Sequence, residues 1–119
     1  MKFFYVIILI PYLVGCSQPE AVVDYDELIE RDETFYLKFS NKPFSGKTSG
    51  KYQGRLKDGK WDGDLKEYRD NGMLFSETSY EGGVKHGEVR TWCTNGSLWH
   101  HDKYLEGKRN GTQLMYHCE

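Results

Sequence analysis

The sequence predicts an all-β protein, a single-layer antiparallel meander of tandem β-hairpins with room for a short N-terminal helix. Three observations carry that expectation. Glycines and aromatic residues recur at an offset of 24 through the C-terminal half. Turn-forming pairs such as Asn71-Gly72 and Asn95-Gly96 separate runs of about strand length. The composition is 15% aromatic, with nine tyrosines and thirteen glycines, as suits small strands joined by tight turns in which rings supply the buried area.

At 119 residues the chain holds one domain at most. A net charge of −2 and a pI near 6.1 provide no basic field for nucleic acid, so none is expected as a partner. A mean hydropathy of −0.73 and 38% hydrophobic content describe a soluble chain with a thin core.

Residues 1–15 differ from all that follows. Lys2 is a short positive segment, and Phe3 to Leu13 form an apolar run broken only by Pro11. A bilayer span needs about 20 residues, so a signal-peptide core is the better reading. The run ends in Leu13-Val14-Gly15-Cys16, which resembles the lipobox of bacterial lipoproteins. That resemblance implies a diacylglycerol on the Cys16 thiol, cleavage before it, and a membrane partner reached through the lipid. Ser17 in second place resembles the signal for outer-membrane sorting, which implies an envelope location facing the periplasm. Loss of Lys2 from the 16 basic residues, against 18 acidic ones, gives a mature charge of −3, so attachment would come from acyl chains and not from attraction to anionic headgroups.

Residues 16–23 carry no pattern and read as a tether. Asp24 to Arg31 sets Leu28 and Ile29 among charges, enough for a helical turn or two. Phe35-Tyr36-Leu37-Lys38-Phe39 reads as a strand, turned by Asn41-Lys42-Pro43. Repeat units follow at about 41–58, 59–82, 83–106 and 107–119, completing a repeat domain over 24–119. Gly59, Gly83 and Gly107 coincide, as do Gly63, Gly87 and Gly111, then Gly72 and Gly96; Tyr68, Trp92 and Tyr116 fall in step, as do Phe75 with Trp99 and Tyr80 with Tyr104. Each Asn-Gly pair favours a type I′ hairpin turn, since both residues tolerate positive φ. Strands are expected at Gly63–Arg69, Met73–Tyr80, Gly87–Cys93 and Ser97–Tyr104, with polar, glycine-bearing connections between units. Tyr68, Phe75, Trp92, Trp99 and Tyr116 are expected to form a ladder of stacked rings along the sheet, and this ladder is the candidate binding surface.

Asp58-Gly59-Lys60-Trp61-Asp62-Gly63, followed by a strand ending in Tyr and then Asn-Gly-x-Leu, resembles the MORN-repeat variant of bacterial proteins. Asp26-Glu27-Leu28-Ile29-Glu30-Arg31 and Lys42-Pro43-Phe44-Ser45-Gly46 are similar to the opening of its YwqK-type antitoxin branch, with Ser45 in place of the usual Thr. The resemblance spans about residues 26–119. It implies a β-hairpin array, a protein-binding role and, through the branch label, toxin neutralisation.

Chemistry-bearing residues are sparse. His100 and His101 are adjacent and point to opposite faces of a strand, and neither Cys-x-x-Cys nor His-x-x-x-His occurs, so no metal or other cofactor is expected. Ser76, Ser79 and Ser97 lack a Gly-x-Ser-x-Gly elbow. The recurring pairs Lys66/Arg90 and Asp64/Glu88 suit cross-strand charge pairing, so no catalytic residue is expected. Cys93 and Cys118 would suit an oxidising compartment. However, 117 is the repeat equivalent of 93, and equivalent strands lie two spacings, about 9.5 Å, apart, beyond the roughly 7 Å reach of a disulfide. Cys118 should also face the other way, so only a frayed C-terminus allows the bond. The expected function is a non-catalytic, lipid-anchored scaffold binding a protein or envelope component. A toxin-neutralising protein and a self-associating structural lipoprotein are the alternatives. Specificity should lie where copies differ, as at Trp61, Lys85 and Arg109.

Overall fold

The computed structural model describes residues 20–119. The expected signal peptide over 1–15 and the expected lipidation at Cys16 lie outside the described residues. Within them the all-β expectation holds: thirteen strands and a single 3-10 turn, with every strand pairing but one antiparallel.

The N-terminal part is a cap. β1 (Val22–Asp24) lies parallel to β4 (Gly46–Ser49), so Val22 and Val23 belong to the sheet and not to a tether. The expected helix shrinks to a 3-10 turn at Tyr25–Glu27, where Asp24 Oδ1 accepts from the Asp26 N–H at 2.9 Å. Leu28 and Ile29 go instead into the hairpin β2 (Leu28–Arg31) and β3 (Thr34–Leu37), because Leu28 is buried against the core. A ring of main-chain bonds clamps this hairpin onto the first unit: Phe35 N–H to Gly59 O, Gly59 N–H to Phe44 O, and Phe44 N–H to Phe35 O, at 2.8 to 2.9 Å. Under the clamp, Leu28, Phe35, Phe44 and Leu56 form the core, edged by Val23, Tyr25, Leu37 and Trp61. At this end the molecule is two layers thick.

β5 (Tyr52–Gln53) and β6 (Arg55–Lys57) turn back on β7 (Lys60–Trp61) and β8 (Gly63–Tyr68). The meander continues through β9 (Leu74–Glu81), β10 (Val84–Trp92) and β11 (Leu98–Leu105), close to the expected strands. β12 (Lys108–Arg109) and β13 (Leu114–Met115) both pair with β11. One cross-strand row, Leu65, Thr78, Val89 and Asp102, runs across the four central strands and holds most of what the ribbon buries.

Type I′ turns are expected at the Asn-Gly pairs but form instead at the connections between units. Asn71 and Asn95 do not adopt positive φ; Gly72 (83°) and Gly96 (86°) alone do so in those loops. Gly72 N–H donates to Arg69 O and Arg69 N–H to Met73 O, with the same pair of bonds at Gly96, Cys93 and Ser97. These are three-residue loops, a type I turn followed by a left-handed glycine. The asparagine carboxamides are engaged in Asx turns, accepting from Met73 N–H at 3.0 Å and Ser97 N–H at 2.9 Å. Type I′ geometry, with both central φ positive, falls at Asp58-Gly59 (49°, 76°), Gly82-Gly83 (57°, 85°) and Glu106-Gly107 (49°, 83°). The recurrence of Gly59, Gly83 and Gly107 is therefore a conformational requirement.

Cys93 and Cys118 are joined by a disulfide, with Cα atoms 5.6 Å apart, which corrects the expectation drawn from the repeat. Tyr116 N–H still bonds Trp99 O at 2.8 Å, but the chain then leaves the ladder and crosses the Thr94–Ser97 turn, where Asn95 Nδ2 donates to Glu119 O. The two-spacing separation holds along the strands and fails at their turn ends. Arg69, the repeat equivalent of Cys93, makes the same point: its Nη2 reaches Trp92 O at 3.0 Å in the next unit.

Candidate functional site

Alternation places Lys66, Glu77, Arg90 and His101 on the face opposite the buried row, while Phe75 and Trp99 are the residues skipped in the cross-strand pairing. Register shifts at Glu67/Tyr68 and Thr91/Trp92 then interrupt the pattern at the strand ends that bear Tyr68 and Trp92. For this reason the five rings do not form the expected ladder: among the described residues no two of them stack.

They fall into two groups. Tyr68 and Phe75 line one shallow concavity with Arg69 between them, whose guanidinium lies 4.5 Å from the Phe75 centroid and whose Nη2 holds the Trp92 carbonyl. Trp99 and Tyr116 are neighbours across β11 and the strand of β13, and Trp99 stacks on His100 with centroids 4.3 Å apart. Trp99 and Tyr116 are exposed, and Leu114 and Met115 on the adjoining strand are exposed too, Met115 at 67%. Tyr68, Phe75 and Trp92 are half-buried.

Aromatic rings pack on one another elsewhere, in tilted pairs in the cap. Tyr25 packs on Tyr52 with centroids 4.5 Å apart, and Trp61 on Phe35 at 5.4 Å. Trp61, expected on a specificity surface, thus borders the core. Its relatives at the same repeat position stay polar: Lys85 Nζ lies 5.1 Å from the Tyr104 centroid, and Arg109 donates to Gln113.

Beneath the cap, Glu67 accepts from the Tyr52 hydroxyl at 3.2 Å and Ser76 Oγ at 3.4 Å. Burial, then the Glu67 charge, raise the hydroxyls of Tyr52 and Tyr80 above the ordinary tyrosine value. Tyr25 is raised by burial, then by Glu30, Asp26 and Glu67. A phenolate there would lose solvation and face carboxylates, so all three rings stay neutral donors.

No family model, curated protein or solved structure matches this chain. The MORN-variant likeness therefore stands on the motifs quoted above, and the site is read from its residues. Two polar groups on the ribbon are paired: Glu88 contacts Arg90 on its own strand and His101 across it at 3.5 Å, and Ser79 Oγ donates to Asp64 at 2.7 Å. Among the described residues no three His, Cys, Asp or Glu side chains converge as metal ligands would.

Recurrence also reaches the turn contacts. The Gly82 N–H bonds Asp62 Oδ1, and 24 residues on the Glu106 N–H bonds His86 Nδ1. Two chemically different side chains thus perform one structural task. Arg69 was missed by sequence reasoning, and its only signal there was its place opposite Cys93 in the repeat.

Proposed function

We propose that this protein is a non-catalytic interaction module, held at the cell envelope by lipid on Cys16, and that it binds a protein partner through its C-terminal end. The exposed surface of Trp99, Leu114 and Tyr116, with Met115 beside it, is the observation that carries this reading. A solvent-exposed cluster of that size on a ribbon otherwise rich in charge marks a contact surface, and Trp and Tyr are the residues that dominate such contacts. The glycines and asparagines that recur are accounted for by turn geometry, which leaves the rings free to differ in use.

The test is co-purification from solubilised envelopes with full-length protein against the Trp99→Ala/Tyr116→Ala variant, the fold being checked by circular dichroism. Loss of one or more protein partners from the variant is expected. An identical set of partners from both would end the proposal for this surface. Incorporation of labelled palmitate in the parent but not in Cys16→Ser tests the anchor separately.

A further inference from the structure

Two copies of the repeat treat the same tyrosine position differently. Lys85 on β10 reaches towards β11 and sets its ammonium over the Tyr104 ring. Tyr104 faces Gly87, and 24 residues earlier Tyr80 faces Gly63, so Trp61 stands to Tyr80 as Lys85 stands to Tyr104. Where one copy supplies its own cation, the preceding copy supplies an indole. Among the described residues no cation lies over Tyr80.

Between these rings and the β2–β3 hairpin lies an open cleft of about 440 Å3, lined by Phe35, Trp61 and Tyr80 and rimmed by Glu30, Glu33 and Lys60. Lys60 Nζ donates to the Glu33 carbonyl at 2.6 Å, so main-chain oxygen at this rim already holds an ammonium. Neither the Glu30 nor the Glu33 carboxylate has an ion pair among the described residues, and both side chains are exposed. Gly82, at the turn position taken by Asp58 and Glu106 in the other units, puts no side chain across the opening.

We propose that this cleft binds an organic cation, the guanidinium or ammonium head of an arginine or lysine side chain on a partner protein, seated against Tyr80 and Trp61 and paired with Glu30 and Glu33. The rings attract a cation through the negative potential of their faces, and the carboxylates supply charge that repels acidic ligands. The site is remote in sequence from the Trp99–Tyr116 surface and stands whether or not that surface binds.

The experiment titrates 15N-labelled full-length protein in neutral detergent with N-acetyl-argininamide, N-acetyl-lysinamide, N-acetyl-leucinamide and tetramethylammonium chloride at constant ionic strength, following the Trp61 indole N–H. A saturable shift with arginine or lysine amide is expected, with Kd on the order of millimolar for so small a probe. Glu30→Gln/Glu33→Gln should weaken it about tenfold. Tyr80→Leu, which installs the residue that Leu56 provides at the same repeat position, should weaken it about threefold to tenfold while the far-ultraviolet spectrum is kept. A response no different from that to leucinamide, or one unchanged in the glutamine variant, overturns the site. Tetramethylammonium binding as tightly as the arginine amide overturns the assignment to a partner side chain.

Discussion

Removing the disulfide should release the last strand and leave the rest of the ribbon intact. In Cys118→Ser the altered side chain is exposed, so the change costs little beyond the cross-link itself. Closing a loop with a sequence separation of 25 is worth about 3.5 kcal/mol against a fully unfolded chain. When the tail detaches, β10 and β11 remain paired, so the opened tail is already restrained and only about 2 kcal/mol of that applies. That still corresponds to opening about 30 times more often. β13 has little else to hold it: two residues in register with β11, the Tyr116 bond to Trp99, and the Asn95 contact.

The assay is amide hydrogen exchange. The Tyr116 amide should exchange about 30-fold faster in the variant or on addition of a dithiol reductant, while amides of β8 and β9 keep their rates. In a ribbon built of nearest-neighbour contacts, a local loss at one end should not travel three strands. Unchanged Tyr116 exchange would show that the bond adds nothing to the ladder. Equal acceleration throughout would show that the molecule opens as one unit, and that picture of a ribbon would have to be abandoned.

Gly59→Ala and Gly72→Ala impose nearly the same φ penalty, at 76° and 83°, of about 1 to 2 kcal/mol. Only at Gly59 would the new methyl lie 2.4 Å from Thr34 Cγ2 and 2.9 Å from Phe35 O, so urea unfolding should show it costing about 2 kcal/mol more. Leu56→Ala should lose about 2 to 5 kcal/mol in the same measurement, since Leu56 is 1% exposed at the centre of the core. Tyr25, Tyr52 and Tyr80 are raised above their unfolded value, so the folded state binds their protons more tightly. The resulting stability is fully present below the unfolded value of 10.0 and falls as pH rises through the folded values. Phenolate absorbance should show a late-ionising group that Glu67→Gln moves to lower pH; an unchanged titration would refute the role given to Glu67.

The strands and the 24-residue register were legible because they are local. Turn glycines and alternating side chains carry that information within a few residues. What misled was also local. Asn-Gly signals a tight turn, but a carboxamide that bonds its own backbone two residues on favours negative φ at Asn71 and Asn95, and the loop grows by one residue. The cap was illegible because Leu28, Phe35, Phe44 and Leu56 meet across long separations with no common period. The same holds for the cleft, where Glu30 and Glu33 come from outside the repeat and meet Tyr80 only through the clamp at Gly59.

The disulfide shows how a register can mislead and then explain. Counting spacings along the strands kept Cys93 from Cys118. The same register aligns Cys93 with Arg69, and Arg69, lying over the Phe75 ring of its own unit, reaches into the following unit through Trp92 O. Position 69/93 is thus where one hairpin's turn is fastened to the next, first by a guanidinium and then by a covalent bond. The fastening passes from hydrogen bond to disulfide at the last copy, where β12 and β13 are two residues each. Two residues of ladder cannot hold an edge strand against fraying, whereas a cross-link beside them can. Because that strand carries Leu114 and Met115 and leads into Tyr116, the bond also keeps the exposed cluster in one shape, so the same cysteine pair that orders the end of the ribbon pre-organises the surface proposed for binding.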